Sequence, residues 1–133
     1  MITIVTPTLN SVEFIDKNIK SIEELNIPFE HIIVDGGSDD GTLDLVKKHS
    51  NIKIIHQTEK KGMYHAIDLG FKAAKGSIIT WVNSDDYIIP EVYERMYLKI
   101  KKDQSDLCYS NGMHYYVNNN SHVKIPGKKT PKF

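Results

Sequence analysis

The sequence predicts an α/β fold, a mostly parallel, Rossmann-like sheet flanked by helices. Two observations carry this expectation. Short runs rich in β-branched residues alternate, from the start of the chain, with stretches of helical period. Four of those runs also end on distinctive polar or glycine residues: Pro7-Thr8, Asp35-Gly36, Gln57-Thr58 and Asn83–Asp86. With right-handed crossovers the ends of parallel strands share one edge, so these distant residues meet in one crevice.

Met1–Thr6 is the first strand, closed by Pro7, which cannot donate to a ladder. Asn10 followed by Glu13 has the spacing of a capping box. Val12, Ile15, Ile19, Ile22 and Leu25 then recur every three or four residues, predicting an amphipathic helix that Pro28 ends. His31–Val34 is the second strand and runs into a loop of carboxylates and glycines, Asp35–Thr42. A short helix from Leu43 to about His49 precedes the third strand, Ile52–His56. Ile67, Phe71 and Ala74 share one face of a helix over Met63–Ala74, with Gly76 as its stop.

The run after Gly76 reads as a buried strand that halts abruptly on Asn83-Ser84-Asp85-Asp86. Pro90 suits a first helical position, and Val92, Met96 and Ile100 continue that helix. Leu107–Asn111 is expected to be a further strand, and His114–Val117 with His122–Ile125 a hairpin. The expected organisation is one domain over 1–125 and an irregular basic tail over 126–133.

Lysine plus arginine equals aspartate plus glutamate at 17 each, which gives no sign of a nucleic-acid partner. The basic end, Lys124, Lys128, Lys129 and Lys132, reads first as solvated and second as a contact for anionic lipid. Cys108 is the single cysteine, so an internal disulfide and a cysteine-based zinc site are excluded. The six histidines show no metal-ligand spacing. No apolar run approaches the length of a membrane span. The expectation is a cytoplasmic protein, with peripheral contact at the inner face of the membrane and homo-oligomers left open.

Two adjacent carboxylates at the end of a buried strand suit a hard divalent cation, Mg²⁺ or Mn²⁺, and through it a phosphate-bearing substrate. The same four residues would also serve as a plain turn before Pro90. Neither a phosphate-binding Gly-x-x-x-x-Gly-Lys-Ser/Thr loop nor Gly-x-Gly-x-x-Gly after the first strand is present. What remains is a metal-dependent nucleotide site, where a fixed cation stabilises the charge gathering on a departing nucleoside diphosphate. Asp86 is the expected metal ligand. Asp85 would meet the ribose or position Asp86.

Five stretches, in this order, resemble glycosyltransferase family 2. They are Thr6–Asn10, Val34–Thr42, Gly62–Gly70, Ala74–Gly76 and Asn83–Asp86, and the resemblance covers about Met1–Leu107. It implies a GT-A fold, a nucleoside-diphosphate sugar donor with UDP-sugars favoured, a glycan or lipid-linked acceptor, and a metal at a DxD-like motif. Carried over residue by residue, Pro7, Thr8 and Asp35 would line the base pocket, with Gly36 beside them. Asp85 would meet the ribose, and Asp86 the cation. The chain departs from the family pattern at Leu9, Gly36 and His65, positions where many members carry an aromatic residue or an aspartate; His65 reads as a surface or capping residue.

After Asp106 the sequence contains no Asp or Glu, so the general base that inverting transfer requires is not found in this chain. The expectation is a fold truncated after the donor-binding half. The alternative is a nucleotide-sugar-binding module without catalysis. A nucleotidyltransferase on a related scaffold would need an early phosphate loop rich in glycine and arginine. The sole arginine, Arg95, lies instead in a predicted helix.

Overall fold

The structure, a computed structural model, describes residues 1–59, 61–116 and 121–125. The chain divides into two compact units, Met1–Glu94 and Arg95–Phe133.

In the first unit, strands β1 (Ile2–Thr8), β2 (Phe29–Asp35), β3 (Ile52–His56) and β4 (Ile78–Trp81) form one sheet in the order β3-β2-β1-β4. Every pairing is parallel, with Thr8 opposite Asp35, Asp35 opposite His56 and Val5 opposite Trp81. Helices α1 (Ile15–Glu23), α2 (Thr42–Val46) and α3 (Met63–Ala73) make the connections, as the alternation in the sequence requires. Successive residues of β2 face opposite sides, so two cores form. Ile32 and Val34 pack with Val5 and Ala66 on the α3 side. Ile33 packs with Ile15, Ile19 and Val46 on the side of α1 and α2. Each of these isoleucines and valines, withdrawn from water, contributes about 1.5–3 kcal/mol before chain entropy is counted.

The first strand does not stop at Pro7 but runs through it to Thr8. The Thr8 carbonyl faces β2, accepting from Gly36 N, whereas the Val5 carbonyl faces β4, accepting from Val82 N. Alternation therefore turns Pro7 toward β4, whose ladder has already ended at Val5 and Trp81. The missing N–H costs no hydrogen bond there.

The capping box is not formed. Helix α1 starts at Ile15, and its cap position, Phe14, makes no side-chain cap bond. Asn10 instead adopts a left-handed conformation, φ 50°, which asparagine tolerates, and its Oδ1 accepts from Asp39 N. A long-range partner outcompetes the local one. Helix α2 ends at Val46, short of His49, and α3 ends at Ala73 with Ala74 extended. Gly76 is explained by contact and not by a left-handed cap: a β-carbon there would lie 2.7 Å from the Thr3 nitrogen.

Gly70 meets the tightest constraint. A β-carbon at this position of α3 would stand 2.3 Å from Cγ1 of Val5, a residue with no exposed surface. The helix rests directly on β1 because glycine has no side chain.

His31 is buried inside β2 and touches Thr6 Oγ1 through Nε2 at 3.0 Å. Thr6 has one hydroxyl proton, directed to Asn18 Oδ1 at 3.4 Å, so the histidine must donate from Nε2. Nδ1 then carries a lone pair and has no partner among the described residues. Burial, helped by the nearby His49, drives the His31 pKa from 6.5 down to about 3.

Helix α4 (Pro90–Asp103) spans the division between the units. In the second unit, β5 (Gly112–Tyr116) and β6 (Ser121–Ile125) pair antiparallel, with Tyr116 opposite Ser121. The expected hairpin is present, its first arm beginning earlier than the sequence pattern placed it. Leu107–Asn111 is not a strand: Leu107 and Tyr109 are exposed there, and strand propensity without a packing surface does not hold a strand. The expected tail over 126–133 lies outside the described residues. No helix among the described residues is long and apolar enough to cross a membrane.

Two stability measurements check this account. Gly70→Ala is expected to cost about 1–3 kcal/mol in urea unfolding, and Val5→Ala in the same chain to recover part of it. His31 stays neutral in the folded protein while the unfolded chain takes up a proton near pH 6.5, so stability falls as pH drops from 6.5 toward 3. Between pH 7 and pH 5 this amounts to about 2 kcal/mol, and His31→Gln is expected to remove that part of the pH dependence.

Candidate functional site

The strand ends do converge. A cleft of about 610 Å³ opens at the carboxyl edge of the sheet, lined by Pro7 to Ser11, Phe14, Gly36, Gln57, Gly62, Met63, Ala66 and Asn83 to Asp85. A crevice beyond the carboxyl ends of parallel strands is the usual ligand position in such a sheet. Leu9, Phe14 and Met63 give it exposed apolar surface. Thr8 Oγ1 and Asn83 Oδ1 belong to lining residues and have no hydrogen-bond partner among the described residues.

Side chains stitch the loops of this edge together. Asn10 N donates to Ser38 Oγ at 3.0 Å, and Ser11 N to the buried Thr42 Oγ1 at 2.8 Å. Val12 N donates to Asp40 Oδ2 at 3.0 Å, while Asp40 Oδ1 accepts from the Thr42 amide and hydroxyl. The Thr42 hydroxyl, ahead of the Val12 and Thr42 amides, holds the Asp40 carboxyl below the usual carboxylate range. Ser11 and Ser84 share a hydrogen bond of 2.7 Å between hydroxyls, joining the β1 loop to the β4 loop.

The acidic turn after β4 is held from beneath by α1. Asn18 has no exposed surface, and its Nδ2 donates to the carbonyls of Asn83 at 3.0 Å and Asp86 at 2.8 Å. One turn on, Ser21 Oγ accepts from Ile88 N at 3.1 Å. Lys17 Nζ sits 3.9 Å from the centre of the Tyr87 ring, a cation–π contact. Sequence reading missed all three residues. Asn18 had a readable signal, an amide one position before Ile19 on the face that also carries Ile15 and Ile22.

Of the expected site residues, Pro7, Thr8, Gly36 and Asp85 line the cleft. Asp35 lies under its floor. It is 1% exposed, and its carboxylate accepts from Gly37 N at 3.0 Å and Ser38 N at 3.1 Å, with His56 Nδ1 at 3.6 Å. That carboxylate shapes the turn that presents Gly36. Asp86 is exposed on the same turn as Asp85, its Oδ2 accepting from Asn83 Nδ2 at 3.3 Å, and it stands outside the lining. His65 is joined to Gln57 in the cleft wall, Nδ1 to Nε2 at 2.7 Å.

Among the described residues no group of three or more His, Cys, Asp or Glu could by itself hold a metal ion. Asp85 and Asp86 nevertheless offer two exposed hard oxygen donors on one turn. Mg²⁺ and Mn²⁺ are commonly held by one or two carboxylates together with substrate phosphates and water. The donor set therefore fits an ion that arrives with a diphosphate, and does not fit one locked in a protein cage.

With this geometry in hand, similarity to known proteins is specific. The family described as Glycosyl transferase family 2 matches residues 3–130. The poly(ribitol-phosphate) beta-glucosyltransferase of Bacillus spizizenii is 37% identical over 114 residues, 80% of this chain and 18% of that enzyme. The crystal structure of S. aureus TarS superposes with a TM-score of 0.74 at 29% identity, covering 79% of this chain and 20% of that one. The mannosyltransferase PcManGT from Pyrobaculum calidifontis, solved with GDP-Man and Mn²⁺, gives a TM-score of 0.60 at 27% identity over 65% of this chain and 28% of that one. The chain spans less than half the length of the curated relatives it matches. A four-stranded parallel sheet with flanking helices, the family match over 3–130 and these relatives agree: the chain belongs to glycosyltransferase family 2 and has a GT-A-like fold.

Proposed function

We propose that this chain forms the donor-binding part of a glycosyltransferase, taking a nucleoside-diphosphate sugar whose sugar is passed to a glycan or lipid-linked acceptor. The observation that carries the reading is the convergence of four strand-end loops on one cleft, with Asp85 in its wall and Asp86 on the same turn. Pro7, Thr8 and Gly36 would border the base and Asp85 the ribose, while Asp35 keeps the Gly36 turn in shape. Asp86 would hold Mg²⁺ or Mn²⁺, which when bound neutralises charge on the leaving diphosphate. The protein's own part is to hold the acidic turn still: Asn18 and Ser21 fix its backbone, so the carboxylates need little reorganisation when a ligand arrives. Support from outside the chain comes from PcManGT, solved with a nucleotide sugar and a divalent ion.

A second reading, a nucleotide-sugar-binding module without transfer, is favoured by a cleft lining in which Asp85 is the one carboxylate among the described residues. Release of free sugar, or its transfer to an acceptor, by the 133-residue chain would exclude it, provided the rate responds to Asp85→Asn and Asp86→Asn.

Calorimetric titration of UDP and GDP is expected to show binding that strengthens with Mn²⁺, with little Mn²⁺ binding in the absence of nucleotide. Asp86→Ala is expected to abolish the Mn²⁺ enhancement, and an enhancement of undiminished size in that variant would remove Asp86 from the metal site. Asn18→Ala leaves two loop carbonyls without their donor, so a loss of about 1–3 kcal/mol in stability is expected. Nucleotide affinity in Mn²⁺ should drop as well, which a purely structural role would leave unchanged.

A further inference from the structure

Gln57, the first residue past β3, lines the cleft with its amide held in one orientation. Its Nε2 donates to the Gly62 carbonyl at 3.2 Å and to His65 Nδ1 at 2.7 Å. A carbonyl can only accept, so the atom facing Gly62 is the amide nitrogen and the flipped amide is excluded. His65 Nδ1 is then an acceptor, with the ring proton on Nε2. Both amide hydrogens of Gln57 are committed. What it has left to offer is Oε1.

That oxygen borders the space above Gly36. A β-carbon built on Gly36 would lie 3.6 Å from Gln57 Oε1 and 3.5 Å from the Thr8 carbonyl oxygen. The glycine leaves this corner of the cleft open, and the two polar atoms nearest it are both acceptors, of which the Thr8 carbonyl already takes the Gly36 N–H. A flat ring entering here is welcomed through an N–H and repelled through a ring nitrogen bearing a lone pair.

Resting on the reading of the cleft as a nucleoside-diphosphate site, we infer that Gln57 is a base-reading residue whose Oε1 selects a ring N–H. The nucleobases that carry one are uracil and guanine; cytosine and adenine present a bare ring nitrogen instead. His65 is a positioning residue in this arrangement, because it keeps Nε2 of Gln57 turned away from the base.

The test is calorimetric titration of the 133-residue chain with UDP, GDP, CDP and ADP in Mn²⁺. The wild type is expected to bind UDP or GDP about ten-fold more tightly than CDP or ADP, the worth of one well-placed hydrogen bond. Gln57→Leu should bring the four within about three-fold of one another, by weakening the preferred nucleotide and relieving the repulsion of CDP and ADP. His65→Ala should narrow the preference in the same direction, and His65→Asn, which can still accept from the amide, should restore part of it. Equal binding of UDP, GDP and CDP by the wild type, or a preference that survives Gln57→Leu, would overturn the assignment. Failure of the wild type to bind any of the four overturns the nucleotide site itself, which separates that failure from this one. Should Gln57→Leu unfold, Gln57→Met, which keeps the side-chain length and offers no amide oxygen, takes its place, and a preference that survives Gln57→Met overturns the proposal.

Discussion

A buried amide ties the acidic turn to the core from beneath. Asn18 gives both hydrogens of Nδ2 to the carbonyls of Asn83 and Asp86, and accepts through Oδ1 from Thr6. Thr6 in turn accepts from His31, so a chain of polar contacts crosses from β2 through β1 and α1 to the loop after β4. Asn18, Thr6 and His31 are each buried, where an unmade hydrogen bond is expensive and a made one is strengthened by the low dielectric. The neutral state of His31 belongs to the same constraint, because burial and the nearby His49 both disfavour a charged ring at this depth.

The sheet gives this relay a fixed frame. β1 is buried along all seven residues and flanked by β2 and β4, with helices packed on both faces of the sheet. Parallel strands leave their carboxyl ends on one side, and the loops there are tied to one another by short polar contacts such as Ser11 to Ser84 and Asn10 to Asp39. The cleft wall therefore inherits its rigidity from the core, although it is made of loops. Asp35 illustrates the division of labour: its carboxylate is buried and bonded inside the turn, whereas Asp85 and Asp86 are exposed.

Most of the frame was legible in the sequence, because alternation of period and the acidic, glycine-bearing strand ends are both local patterns. Ile52–His56 was placed to the residue. The misreadings share a physical cause. Asn10 has the spacing of a helix cap, with Glu13 three residues on, yet its partner is Asp39, which no local pattern reveals. Leu107–Asn111 has the composition of a strand and lacks a surface to pack on, while Gly112, a poor strand former, begins β5 by pairing with Ile125. Asn18 is inconspicuous in the sequence because a helix whose face carries Ile15, Ile19 and Ile22 reads as apolar, and one amide does not disturb that period. The Gln57 amide could not have been oriented from sequence at all, since its direction is decided by a carbonyl and a ring nitrogen of the next helix.

Gly70 has a consequence that reaches beyond the core. It lies two turns along α3 from Met63, about 10 Å by helical rise, and Met63 with Gly62 forms part of the cleft mouth. The helix that carries this wall of the cleft is thus seated on Val5 at a position where no side chain intervenes, and the spacing between core and cleft wall is set there by the smallest residue.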